Sequence, residues 1–82
     1  MFYTVKTVKP LPGYNLLVSF QNGERKQYPI QPLFDNWEAF KTLDSVKGLF
    51  EEVKVDIGGY GISWNDEIDL SCDELYNNGI NV

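Results

Sequence analysis

Apolar residues recur at every second position on both sides of a Gly-Gly pair in residues 53–64. Val53, Val55 and Ile57 precede Gly58-Gly59, and Tyr60, Ile62 and Trp64 follow it. Period-two alternation about a glycine pair predicts a β-hairpin. A two-residue loop at Gly58-Gly59 sets Ile57 opposite Tyr60, Val55 opposite Ile62 and Val53 opposite Trp64, with all six on one buried face. An isolated hairpin is marginal in water, so this one predicts a core for it to lie on.

The same period runs through the N-terminal part. Residues 2–9 are rich in Val, Thr and aromatics and predict a first strand. Val5 and Val8 lie three apart, which breaks alternation and calls for a bulge or for burial on both faces. Pro10-Leu11-Pro12-Gly13 predicts a turn. Residues 14–20 predict a second strand with Tyr14, Leu16, Val18 and Phe20 on one face. Asn22-Gly23 then signals a hairpin. A two-residue loop there would set Tyr28 opposite Leu17. A three-residue loop, Gln21-Asn22-Gly23 with Gly23 left-handed, sets Tyr28 opposite Leu16 and Ile30 opposite Tyr14. The second choice keeps the apolar residues on one face, and a one-residue slip would flip the strand. Pro29 lacks an N–H, so the third strand is expected at an edge or ends there.

Helical spacing enters after residue 31. Asp35-Asn36-Trp37-Glu38 reads as a capping box with Asp35 as N-cap, opening a short turn through Phe40. Val46, Leu49, Phe50 and Val53 follow i, i+3, i+4, i+7, one face of a helix capped by Asp44 or Ser45. Gly48 weakens that helix by about 1 kcal/mol relative to alanine, so it depends on packing. Residues 65–70 read as a polar turn that carries Ile68 and Leu70. Ser71-Cys72-Asp73-Glu74 is a second capping box, and Asn77-Asn78-Gly79 stops the helix that it starts. The order β-β-β-α-β-β-α predicts an α+β fold in one domain, residues 1–82. An antiparallel sheet of about five strands, two hairpins plus an N-terminal strand, would carry helices on one face.

Composition narrows the setting. The single cysteine excludes an intrachain disulfide and fits a reducing cytoplasm. The first residues lack the apolar run of a signal peptide, and no stretch approaches the roughly 20 apolar residues of a membrane span. A soluble, cytoplasmic protein is expected. The net charge of −5 is unevenly placed: residues 1–34 carry a net +3 and residues 35–82 a net −8. An acidic chain repels phosphate backbones, so direct nucleic-acid binding is not expected. The acidic half suits a basic partner. The aromatic content of 15% fills a small core.

Candidate chemistry is sparse. The chain has no histidine, which removes the commonest general base and the usual nucleophile pairs. Cys72 stands alone in the first turn of a predicted helix beside Asp73 and Glu74, and packing is its expected role. Asn65, Asp66, Glu67 and Asp69 lack the EF-hand spacing for Ca²⁺. Gly58-Gly59-Tyr60-Gly61 matches no phosphate-loop pattern and is assigned to turn geometry. No catalytic, metal or cofactor site is predicted, and an enzyme is not expected.

The assembled motifs carry a family resemblance. Pro10-Leu11, Tyr14-x-Leu16-x-Val18-x-Phe20-x-Asn22-Gly23-Glu24, Leu49-Phe50-x-x-Val53, and Gly61-Ile62-x-Trp64 leading to Asp69-Leu70-Ser71-x-Asp73-x-Leu75-Tyr76 resemble domain-of-unknown-function family 2442. The resemblance covers the chain from about Val5 to Tyr76. It implies a small bacterial α+β protein with no established catalytic activity. Some longer members carry a C-terminal helix-turn-helix, and these 82 residues contain no counterpart. Members are often encoded beside a second small protein in a pair proposed to act like toxin and antitoxin. The resemblance thus implies a protein–protein interaction domain, the antitoxin-like partner of a basic small protein encoded nearby. Asp66, Glu67 and Asp69 are the expected partner-binding residues. The alternative is a small-ligand-binding domain whose pocket is lined by Trp37, Tyr60 or Trp64.

Overall fold

The Asn22-Gly23 hairpin sets the register from which the fold is built. In the computed structural model, which describes residues 4–82, β2 (Asn15–Phe20) and β3 (Arg25–Pro29) are antiparallel, with Leu16 opposite Tyr28 and Ser19 opposite Arg25. This is the register of the three-residue loop. Gly23 takes φ 92°, and the Phe20 N–H donates to the Glu24 carbonyl at 2.9 Å. Leu16, Val18, Phe20 and Tyr28 are thereby buried together. Pro29 falls in a non-bonded pair with Asn15, where its missing N–H costs the β2–β3 ladder nothing, and the Ile30 N–H continues the pairing by donating to the Tyr14 carbonyl at 2.9 Å.

β1 (Val5–Leu11) pairs with β2 and contains a bulge between Val5 and Thr7. The bulge resolves the three-residue spacing of the valines: Val5 lies opposite Phe20 and Val8 opposite Val18, so both face the core side. The predicted first residues of this strand, Phe2 and Tyr3, lie outside the described residues. Its end is later than expected, because Pro10 and Leu11 still pair with β2 and the turn falls at Pro12-Gly13-Tyr14. Tyr14 itself takes φ 59°, a left-handed conformation costly for a side-chain-bearing residue. Its ring meets Phe34 and Phe50 edge-on at 5.3 and 5.2 Å, and its hydroxyl donates to Asp44 at 2.7 Å. β7 (Ile80–Asn81), unforeseen from sequence, adds to β3 and gives the order β1-β2-β3-β7.

A second antiparallel sheet holds β4 (Lys54–Val55), β5 (Gly61–Asn65) and β6 (Ile68–Ser71) in the order β4-β5-β6. The α+β class therefore holds, but as sheets of four and three strands rather than one of about five. The extra strand β6 occupies what reads as a polar turn. Asn65 Oδ1 accepts the N–H groups of Glu67 and Ile68 at 2.9 and 3.0 Å, which closes a tight turn and leaves residues 68–71 free to pair.

The 53–64 hairpin keeps its predicted register, with Val55 opposite Ile62. Its loop differs. Residues 57–59 form a 3-10 turn, Gly58 and Gly59 take φ 82° and 75°, and Ile57 and Tyr60 are 99% and 66% exposed. The predicted Ile57–Tyr60 pair on the buried face is thus corrected. The cause is a close approach of Gly59 to β1: a Cβ on Gly59 would lie 2.6 Å from the Val5 carbonyl oxygen. Within the hairpin, the Ser63 hydroxyl donates to Asp56 at 2.6 Å and ties β5 to the residue before the turn.

Three helices complete the described chain. α1 (Gln31–Phe34) starts with a proline in its first turn, and Asp35 is its C-cap, not the N-cap of a later helix. α2 (Glu38–Ser45) has Trp37 at its N-cap without a side-chain cap, and buries Phe40 and Leu43. The helix predicted through Val53 is absent. Gly48 at φ 84° breaks it, Val46 is extended and half exposed, and residues 50–52 form a 3-10 turn that buries Phe50. α3 (Cys72–Asn78) matches expectation at both ends, with Ser71 as N-cap and Gly79 as C-cap. One core joins all of this: Phe20, Leu16, Ile30, Leu43, Ile62, Ile68 and Leu75 are fully buried. Among the described residues no helix is long and apolar enough to cross a membrane.

Candidate functional site

A groove of about 410 Å³ opens between the α1–α2 junction on one side and β6 with α3 on the other. Its position follows from local chain chemistry. After Pro29 ends the strand, Pro32 fits the first turn of α1, where its missing N–H would have had no partner. The Trp37 N–H donates to the Leu33 carbonyl at 3.0 Å, which turns the chain sharply into α2. Leu33, Ala39 and Phe40 thus form an apolar wall. Trp37 stands on the same wall, 59% exposed.

The opposite wall is acidic. Glu67 comes from the β5–β6 turn, Asp69 from β6 and Glu74 from the first turn of α3, with Leu70 between them. None of the described residues that line the groove is a lysine or arginine. The N-cap of α3 explains the placing of Glu74. Its N–H donates to Ser71 Oγ at 3.1 Å, as a capping box requires. Its carboxylate instead accepts from the Tyr28 hydroxyl at 2.7 Å. Burial, and next the bond to Glu74, raise the Tyr28 phenol above its ordinary value of 10.0, so Tyr28 stays a donor at neutral pH.

Of the residues expected from sequence, Glu67, Asp69 and Trp37 meet on this groove. Asp66 sits exposed in the β5–β6 turn and does not line it. Tyr60 is exposed elsewhere, its ring lying against Gly58. Trp64 is a core residue: 5% exposed, its indole N–H donates to the Phe50 carbonyl at 3.0 Å and its ring packs on Phe40 and Phe50. Tyr28 and Glu74 are part of the site although sequence patterning assigns one to the core and the other to a cap. Pro32, which suits a helix's first turn, is the sequence signal that could have marked the α1 wall.

The arrangement offers shape, an aromatic face and negative charge. Among the described residues no group of three or more His, Cys, Asp or Glu side chains is arranged to hold a metal ion. Cys72 is half-buried in the first turn of α3, its sulfur 4.0 Å from its neighbour Asp73.

A family model described as "Protein of unknown function (DUF2442)" matches residues 5–81. No curated protein and no solved structure matches the chain.

Proposed function

Because the chain belongs to the DUF2442 family, for which no activity is defined, we propose from its own geometry that it is a non-catalytic protein–protein interaction domain, docking a basic segment of a partner in the Trp37 groove. The observation that supports this is an exposed tryptophan sharing one concavity with Glu67, Asp69 and Glu74, with no lysine or arginine among the described residues that line it. Tryptophan is enriched among the residues that dominate binding energy, and an arginine or lysine over its face contributes about 1 kcal/mol. The carboxylates steer a basic partner and set a salt-dependent association rate.

The reading includes an antitoxin-like role toward a basic small protein encoded nearby, in the cytoplasm. A single cysteine in a chain this small agrees with a reducing compartment. Its test is co-expression with the neighbouring gene. We expect co-purification, relief of growth arrest, and an association rate that falls as salt rises. Reversing charge at Asp66, Glu67 and Asp69 together, with the fold verified by circular dichroism, is expected to slow capture at least tenfold and flatten the salt dependence. Capture unchanged by the triple reversal overturns the reading.

A second reading is a small cationic, ring-bearing ligand in the same groove, favoured by its volume of about 410 Å³, within the range of ligand sites. It predicts that a small aromatic amine quenches Trp37 fluorescence at saturation without any protein partner.

A further inference from the structure

β6 is the edge of its sheet, and its open side faces the groove. Strand geometry and the groove lining together support the second point. Consecutive strand residues point to opposite faces of a sheet. Asp69 and Leu70 are consecutive, yet both line the groove, so the groove runs along the strand's edge and not over one face.

The pairing of β5 and β6 shows which backbone groups look into it. The Cys72 N–H donates to the Tyr60 carbonyl at 2.9 Å, so Tyr60 and Cys72 form a hydrogen-bonded pair. Antiparallel pairs alternate between bonded and non-bonded. Ile62 and Leu70 are therefore bonded to each other, whereas Ser63 and Asp69 are opposed without bonding. On the far side, the Asp56 N–H donates to the Gly61 carbonyl at 2.9 Å, which assigns Gly61 to β4 and agrees with the same alternation. The N–H and C=O of Asp69 consequently point away from β5, toward the open edge.

We propose that the groove takes its partner as an added strand: an extended segment that alternates basic and apolar residues and pairs with the N–H and C=O of Asp69 on the β6 edge. This rests on the docking reading above and specifies its mode. Added strands gain affinity from main-chain bonds and specificity from alternate side chains. On one face of such a strand, side chains enter the apolar side beside Leu70, Leu33 and Phe40. On the other, they meet the Asp69 carboxylate and its neighbour Glu67. Charge complementarity selects the basic residues, and the apolar wall selects the residues between them.

The probe is an end-blocked eight-residue peptide of alternating arginine and valine, titrated into isotope-labelled protein. In the wild type, the Asp69 amide is expected to exchange with solvent at least tenfold more slowly in the complex than alone. Two variants then separate charge from backbone. Asp69→Asn and Asp69→Pro both lose the carboxylate, but only the proline loses the edge N–H. Because that N–H is not bonded to β5, proline is tolerated there. The peptide is expected to bind Asp69→Pro at least tenfold more weakly than Asp69→Asn. Equal affinity for the two variants, or unchanged exchange at Asp69 in the complex, overturns the added strand. If Asp69→Pro does not fold, the exchange measurement alone decides. Binding that is lost in Trp37→Ser but equal in the two Asp69 variants leaves docking standing and removes the strand. A peptide that does not bind the wild type overturns both.

Discussion

Replacing Tyr28 by phenylalanine removes one hydroxyl from a ring that is 4% exposed and leaves Glu74 without its 2.7 Å donor. A hydrogen bond to a charged group contributes about 1.5–3 kcal/mol. Glu74 is half-buried, so water recovers part of that interaction, and the expected loss at pH 7 is about 1–2 kcal/mol. For a domain of this size each kcal/mol lowers Tm by roughly 4–8 °C. The pH dependence gives a sharper signature. The folded state holds the Tyr28 proton more tightly than the unfolded chain, whose tyrosines ionise near 10. Above that pH the unfolded state has released a proton that the folded state keeps, so stability falls as pH rises. The limiting slope is about 1.4 kcal/mol per pH unit. Phenylalanine has no such proton. The gap between wild type and Tyr28→Phe is therefore expected to shrink by about 1.4 kcal/mol between pH 7 and pH 11, so that the two stabilities converge. Tyr14, raised chiefly by its hydrogen bond to Asp44, is common to both proteins and cancels. Urea titrations at pH 7, 9, 10 and 11, followed by tryptophan fluorescence, measure the gap directly. A gap that is constant over this range, or absent at pH 7, refutes the role assigned to the Tyr28–Glu74 bond.

Two further substitutions separate the site from the scaffold. Trp37→Ser removes an exposed ring and supplies a side-chain cap for α2, worth about 1 kcal/mol; Tm is expected to equal or exceed the wild-type value while capture of a basic partner weakens at least tenfold, and a protein that keeps full affinity would exclude Trp37 from the interface. Gly59→Ala forces a side chain into a left-handed backbone of φ 75° with its Cβ 2.6 Å from the Val5 carbonyl oxygen; calorimetry should register a loss of at least about 2 kcal/mol, and a loss below half of that would mean the turn does not press on β1.

The parts of the fold that were legible are those where one slip reverses a buried face. Only one loop length at Asn22-Gly23 keeps Tyr28 and Leu16 on the same side, so the β2–β3 register followed from pattern alone. The Val55–Ile62 pairing followed for the same reason. Where pattern failed, a backbone conformation overrode it. Val46, Leu49, Phe50 and Val53 have helical spacing, but Gly48 takes φ 84°, which no α-helix contains. Phe50 reaches the core from a 3-10 turn instead. β6 was hidden because only Ile68 and Leu70 mark its alternation and acidic residues surround them. The candidate site was half legible. Glu67, Asp69 and Trp37 drew attention as charge and as rings. Their meeting depends on the α1–α2 turn, and Glu74 joins them with its carboxylate on the Tyr28 hydroxyl; neither has a local sequence signal.

The two tryptophans of this chain show why the groove stands apart from the scaffold. Trp64 has every mark of a structural residue: it is buried, its indole N–H has an acceptor, and two aromatic rings pack on it. Trp37 is 59% exposed, and among the described residues its indole has neither an acceptor nor a ring partner. It occupies the N-cap of α2 in an extended conformation, φ −136° and ψ 113°, that suits Ser, Asp or Asn, and it offers no cap hydrogen bond. Asp35 and Asn36 stand two and one residues before it, so good caps are near in the chain, but Asp35 is the C-cap of α1 and the Asn36 side chain donates to the Pro32 carbonyl. A large ring at an uncapped helix start works against local stability and gains little from burial. Departures from local preference concentrate at functional or strained sites. Here the departure lies across a groove from three carboxylates, on the wall facing the free edge of β6, which is where a partner strand bearing cations would need an aromatic surface to rest on.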